Sequence, residues 1–139
     1  MHTVEKIGGT SMSRFDEVLK TIFIGDRRKN ELYNRIFVVS AYGGMTDLLL
    51  EHKKSGEPGV YERFADANNE DAWVDALEQV RSSMLAKNAE LFGGQYERQA
   101  ADRFIDGRIN DARDCMMNLQ QLCSYGHFQL SGQLIKVRE

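Results

Sequence analysis

Proline occurs once in this chain of 139 residues, at Pro58, and cysteine only twice, at Cys115 and Cys123. So few cysteines exclude a disulfide-scaffolded secreted domain. Neither cysteine belongs to a Cys-x-x-Cys pair, and His2, His52 and His127 form no His-Glu-x-x-His pair, so no metal site built from side chains is expected. Apolar runs are short, such as Ile36–Val39 and Leu48–Leu50, far below the roughly twenty residues that cross a bilayer. No membrane partner is expected. A basic excess is also missing: 18 basic against 21 acidic residues leave a formal charge of −3, which argues against nucleic acid as a partner. The first residues lack the basic start and apolar stretch of a secretory signal, so the expected location is cytoplasmic.

What is present is ordinary globular composition, 42% hydrophobic, in a length that can bury roughly two thirds of its unfolded surface. Cys115 and Cys123 lie in a helical-looking stretch, about 12 Å apart along a continuous helix. That separation exceeds what a disulfide tolerates, so both are expected as reduced core thiols.

Thr3–Ile7 reads as a short strand running into a small-residue loop, Gly8 to Ser11. Ser13 then suits an N-cap, with Asp16 at the third helical position and Phe15, Val18, Leu19 and Ile22 on one helical face. The next run, Arg35 to Ser40, is β-branched and apolar, as for a strand covered on both faces of a parallel sheet. A second glycine turn follows, Ala41 to Thr46, then a short helix through Leu48, Leu49 and His52. Both loops would lie at the carboxyl ends of parallel strands, where open α/β sheets place ligands.

The remainder is helix-rich. Lys53–Gly59 is polar and turn-forming, and a helix is expected from about Asn69 to Phe92, with Trp73, Leu77, Val80, Met84 and Leu91 as its core face. Glu70 and Asp71 complement its N-terminal dipole, and Gly93 and Gly94 stop it. A further helix carries Ile109, Ala112, Met116, Leu119 and Cys123, and Met117 adjoins that stripe. The last segment, Phe128–Glu139, places Leu130, Leu134 and Val137 on one face and ends without a stop signal. With only two convincing strands where a covered parallel sheet normally has about four or more, a truncated chain is expected.

The strongest chemical signal is the first glycine turn, because bare backbone N–H groups at a helix start form a concave positive site for phosphate oxygens. Lys6 adds a movable cation and Thr10 and Ser11 add hydroxyls, as phosphoryl transfer requires. Neither a Walker A pattern nor a dinucleotide fingerprint occurs. The same residues also read without a ligand: Gly8 and Gly9 as a tight turn, Lys6 as a solvated edge residue, Ser40 and Thr46 as a strand-end hydroxyl and a helix N-cap.

Val4–Met12 resembles the Lys-x-Gly-Gly-Thr-Ser opening of aspartate kinases, and Val38–Leu48 resembles that family's Val-Val-Ser-Ala-x-x-Gly-x-Thr-x-x-Leu stretch, in the same order. Leu48–Tyr61 and Leu122–Leu130 resemble the branch associated with ectoine biosynthesis. The resemblance implies an α/β fold: residues 1–139 as the N-terminal part of an amino-acid kinase sandwich with a mainly parallel sheet and a helix-rich C-terminal half, without an ACT domain. It implies transfer of the γ-phosphoryl group of ATP, with Mg²⁺, to the side-chain carboxylate of L-aspartate. Lys6 would then be catalytic and bind phosphate with Gly8, Gly9, Thr10 and Ser11. Ser40 and Thr46 would orient aspartate, and Gly43 and Gly44 would keep the second loop close to it.

The family's later Ser-x-Gly-Glu motif is absent, since Gly126 is followed by His127. The isolated chain is therefore expected to be inactive, and a homo-oligomer is compatible with the family. Two other readings stand beside this one: another amino-acid kinase, such as one acting on glutamate, and a non-catalytic fragment or assembly module.

Overall fold

A computed structural model describes residues 2–66 and 71–125. The chain divides into two compact units, Met1–Thr46 and Asp47–Glu139. The architecture is mixed α/β, and the sheet among the described residues has two strands.

In the first unit, β1 (Thr3–Ile7) pairs in parallel with β2 (Arg35–Val39), Thr3 opposite Arg35 and Ile7 opposite Val39. Between them run α1 (Gly9–Met12), α2 (Phe15–Val18), a π-helical turn Leu19–Ile24 and a 3-10 turn Lys29–Leu32. Alternation along a strand sends successive side chains to opposite faces. Ile7 packs on one face with Met12 and Val18, backed by Phe15, Ile22 and Phe23, and Phe37 meets Phe23 edge-on at 4.4 Å between centroids. The other face carries Val4, Ile36 and Val38, each at least half exposed. This corrects the expectation of a strand covered on both faces: all the helical packing of this unit falls on one side.

The capping expectation is also corrected. Arg14, not Ser13, precedes α2, because Ser13 has helical dihedrals (φ −67°, ψ −18°) whereas a capping serine is extended. Leu19 faces outward, while Phe15 and Ile22 are partly buried and Val18 fully.

One polar side chain ties this unit together. Arg35, whose side chain is only 4% exposed, donates through Nε to Glu5 Oε1 at 2.6 Å and through its two terminal nitrogens to the carbonyls of Phe23 and Ile22 at 2.7 Å. It therefore joins β1 and satisfies carbonyls that the end of the π-helical turn leaves unpaired. Its guanidinium also stacks over Phe37 at 4.4 Å. The hydrogen bond from Arg35 holds the Glu5 carboxyl below the usual glutamate range, and the guanidinium charge reinforces it. A depressed carboxylate stabilises the fold above its unfolded pKa of about 4.3, and that contribution disappears as pH falls through the lower folded value. Urea midpoints measured between pH 6 and pH 3 should thus fall on the acid side, and Glu5→Gln should lower the neutral midpoint while flattening that decline.

The second unit is helical. The helix α3 (Met45–Leu49) leads the chain into it, and His52 lies outside that helix, contrary to expectation. Glu51 instead pairs antiparallel with Pro58, and His52 N–H donates to the Glu57 carbonyl at 2.9 Å, folding the polar stretch into a turn. Gly59 closes it: a Cβ there would lie 2.5 Å from the Leu50 carbonyl oxygen and 2.6 Å from that of Leu48, an approach only glycine permits.

The helices α4 (Val60–Ala65) and α6 (Gln95–Ser124) both pack on α5 (Ala72–Leu91). Trp73, Leu77 and Val80 are buried as expected, and Met84 and Leu91 partly so. Trp73 meets Phe64 of α4 edge-on at 5.6 Å. Asp71 immediately precedes α5, whereas Asn69 and Glu70 lie outside the described residues. Two unforeseen polar links set the register of the α5–α6 hairpin: buried Asn88 donates to Asp102 at 2.9 Å, and Arg81 to Asp106 at 3.2 Å and Asn110 at 2.7 Å.

The expectation that both cysteines are core thiols is corrected for Cys115, which is exposed, while Cys123 is partly buried. At 1.5 Å per residue α5 is about 30 Å long and α6 about 45 Å, so α6 is the longer arm of the hairpin. Met117, Leu122 and Tyr125 are exposed as well. The helix expected over Phe128–Glu139, with Leu130, Leu134 and Val137, lies outside the described residues, as does His127.

Candidate phosphate and substrate loops

All nine residues singled out from the sequence fall within the first unit, around the carboxyl ends of its two strands. Gly8 is extended (φ −76°, ψ 164°) and turns the chain from β1 directly into α1, so the expected loop is a helical turn from Gly9 onward. Met12 N–H donates to the Gly8 carbonyl at 3.0 Å and Ser13 N–H to that of Gly9 at 3.2 Å. The N–H groups of Gly9, Thr10 and Ser11 precede any intrahelical acceptor, which leaves three donors at one end of the turn. A Cβ at Gly8 would meet nothing within 4 Å, so this position opens onto free space.

The second loop follows β2. Ser40 N–H donates to the Ile7 carbonyl at 3.2 Å, extending the parallel pairing to the point where the first loop begins. A Cβ at Gly9 would lie 3.4 Å from Ser40 Oγ, so the first glycine turn sits beside the strand-end hydroxyl. Gly44 adopts φ +84°, a left-handed conformation that favours glycine, with open space around it. Thr46 lies inside the first turn of α3 and is partly buried, so it is not the N-cap that the sequence also allowed. Met45 beside it is buried and anchors the turn.

Lys6 is exposed and stands opposite Val38, on the open face of the strand pair. Among the described residues no ion pair or hydrogen bond engages its ammonium group, so that charge stays free to meet an anion. The first unit thus carries backbone donors, the hydroxyls of Thr10, Ser11 and Ser40, and the exposed Lys6 in or next to the segments that leave the carboxyl ends of its two strands, with open space at Gly8 and Gly44. That set suits an anionic ligand. Among the described residues no three His, Cys, Asp or Glu side chains gather as a metal site. No helix among them is long and apolar enough to cross a membrane.

Two residues the sequence did not connect with the loops stand near them: Ser13, whose hydroxyl bonds the Gly9 carbonyl and lies against Gly43, and Arg35, which ties β2 to Glu5 of β1. Gly43 lies thirty residues from Ser13 and Glu5 thirty from Arg35, so these neighbours meet only in the folded unit.

Comparison with known proteins adds an independent observation. Over all 139 residues the chain is 71% identical to Aspartate kinase Ask_Ect of Stutzerimonas stutzeri (strain A1501). The chain is similar along its whole length to an aspartate kinase. It spans 29% of that relative's length. No family model matches the chain, and no solved structure matches it. The resemblance drawn from Lys6–Ser11 and Val38–Leu48 therefore extends through the helical unit, including the stretches assigned to the ectoine branch.

Proposed function

We propose that this chain is the N-terminal part of an aspartate kinase catalytic domain with the amino-acid kinase fold, and that the longer protein transfers the γ-phosphoryl group of ATP to the side-chain carboxylate of L-aspartate. The observation that carries this reading is the 71% identity to an aspartate kinase over an alignment of all 139 residues, which spans both glycine loops. The suffix of the relative's name agrees with the ectoine branch. Reading the protein as cytoplasmic, and as able to form a homo-oligomer, belongs to the same proposal.

In this reading Lys6 and the N–H groups at Gly9, Thr10 and Ser11 hold and neutralise the transferring phosphoryl oxygens, with Gly8 leaving them accessible. Ser40 and Thr46 orient aspartate, and Gly43 and Gly44 keep the second loop close to it. The aspartate carboxylate is itself the nucleophile, so the protein supplies position and charge and needs no strong general base. Its oxygen forms the new bond to phosphorus while the bond to the ADP oxygen breaks. Mg²⁺ would enter with the nucleotide as part of the substrate, and among the described residues no cluster of carboxylates gathers to hold it.

The test is aspartate-dependent ADP release with Mg-ATP, measured on the 139-residue chain and on the longer protein side by side. Turnover is expected from the longer protein alone, because the chain spans 29% of the relative's length and carries no Ser-x-Gly-Glu motif. Glutamate-dependent release in place of aspartate would transfer the reading to another amino-acid kinase. Binding without turnover in both would favour an assembly module, a reading to which the open apolar face of Val4, Ile36 and Val38 lends some support.

A further inference from the structure

Ser13 belongs to neither motif, yet it is the side chain that touches both loops. Its hydroxyl donates to the Gly9 carbonyl at 3.3 Å, at the start of the first glycine turn. On its other side it stands against the second loop. A Cβ built on Gly43 would fall on Ser13 Oγ, and would lie 3.1 Å from Ser13 Cβ and 3.6 Å from its Cα. The absence of a side chain at Gly43 is therefore matched to the presence of a hydroxyl at Ser13, thirty residues earlier in the chain. Gly43 has no left-handed φ, unlike Gly44, so this contact rather than backbone conformation accounts for glycine there.

We infer that Ser13 is a positioning residue, whose hydroxyl fills the space beside Gly43 while holding the Gly9 carbonyl and so sets the distance between the two glycine loops. Resting on the kinase reading above, that distance is the separation between the transferring phosphoryl group and the accepting carboxylate. Proximity effects depend on reacting atoms being held about 3–3.5 Å apart, and small displacements cost large factors in rate. The Ser40 N–H bond to the Ile7 carbonyl, at 3.2 Å, forms a second tie where the same two loops begin. Two ties define a spacing where one would leave a hinge.

The geometry makes a specific prediction about paired substitutions. A methyl group at position 43 must expel the Ser13 hydroxyl, which breaks its bond to Gly9 and pushes the loops apart. Replacing Ser13 by glycine removes both Oγ and Cβ and leaves Cα at 3.6 Å, an ordinary van der Waals separation. Gly43→Ala should therefore be harmful alone and largely repaired by Ser13→Gly, although the repaired protein lacks the hydroxyl.

The experiment is a double-mutant cycle with Gly43→Ala, Ser13→Gly and the pair, read in two ways. In the 139-residue chain, thermal midpoints should show the pair recovering most of the loss caused by Gly43→Ala. In the longer protein, Gly43→Ala should raise the KM for aspartate by about tenfold and lower kcat, and the pair should return to the level of Ser13→Gly alone. Additive losses in both readouts would overturn the inference. Recovery of the thermal midpoint with an unchanged aspartate KM in every variant would overturn it too, since the contact would then serve packing alone. Should Gly43→Ala fail to fold, the pair against Ser13→Gly decides: a pair that remains unfolded refutes the complementarity. Lack of aspartate-dependent turnover in the unaltered longer protein would instead count against the kinase reading, and the thermal cycle would then test the contact by itself.

Discussion

Lys6→Ala in the longer protein should lower aspartate-dependent ADP release by about 10²–10³-fold, the range typical of deleting one preorganised charge or donor from a transition state. The expectation rests on position and on solitude. Lys6 lies two residues before the first glycine turn, is exposed, and among the described residues has no partner to neutralise it. Phosphoryl transfer develops charge on oxygens that need a nearby cation, and no other lysine or arginine stands in either glycine loop. The same exposure means that stability should barely change, within about 0.5 kcal/mol. Thermal midpoint and turnover measured on one preparation separate the two effects. A variant that keeps its midpoint and also keeps near-normal turnover would remove Lys6 from the mechanism.

Trp73→Ala should be the most damaging single truncation in the helical unit, costing about 3–5 kcal/mol in urea unfolding. Trp73 is 1% exposed and stacks edge-on against Phe64, so its removal opens a cavity where α4 meets α5. Marginal stability makes such a loss a large share of what holds these helices together. Trp73→Phe should be far milder, about 1 kcal/mol. The ring contact survives, and the indole N–H that is lost is buried without a hydrogen-bond partner among the described residues. An unsatisfied buried donor is itself destabilising, so its removal offsets part of the lost volume. Equal losses for the two variants would show that packing against Phe64 is not what the indole contributes.

Lys6 and Trp73 owe their importance to different kinds of information. The importance of Lys6 was legible from local sequence, because a glycine turn after a strand is a local object and the lysine is its neighbour. Trp73 was legible as a core residue because Trp73, Leu77 and Val80 recur at helical spacing. Strand limits, the order of strand, helix and strand, the turn around Pro58 and the two long helices followed from the same short-range rules of periodicity and glycine placement. So did the family resemblance, since both motifs are contiguous.

Burial and polar pairing were decided only by tertiary structure. Ser13 suited an N-cap by pattern, but the fold keeps it helical and turns its hydroxyl to Gly9, against the glycine loop that follows β2. Arg35 opens an apolar strand run with nothing beside it in sequence to pair with, yet Glu5 of β1 and the end of the π-helical turn surround it with acceptors. Asn88 sits on the buried seam of α5, where a helical pattern expects an apolar residue, because Asp102 of α6 faces it. Cys115 and Met117 continue an apolar-looking helix, yet both are exposed in the folded chain while Met116 between them is partly buried. Periodicity states which residues share a face of one element. What lies against that face depends on chain segments tens of residues away, and only the folded protein brings them together.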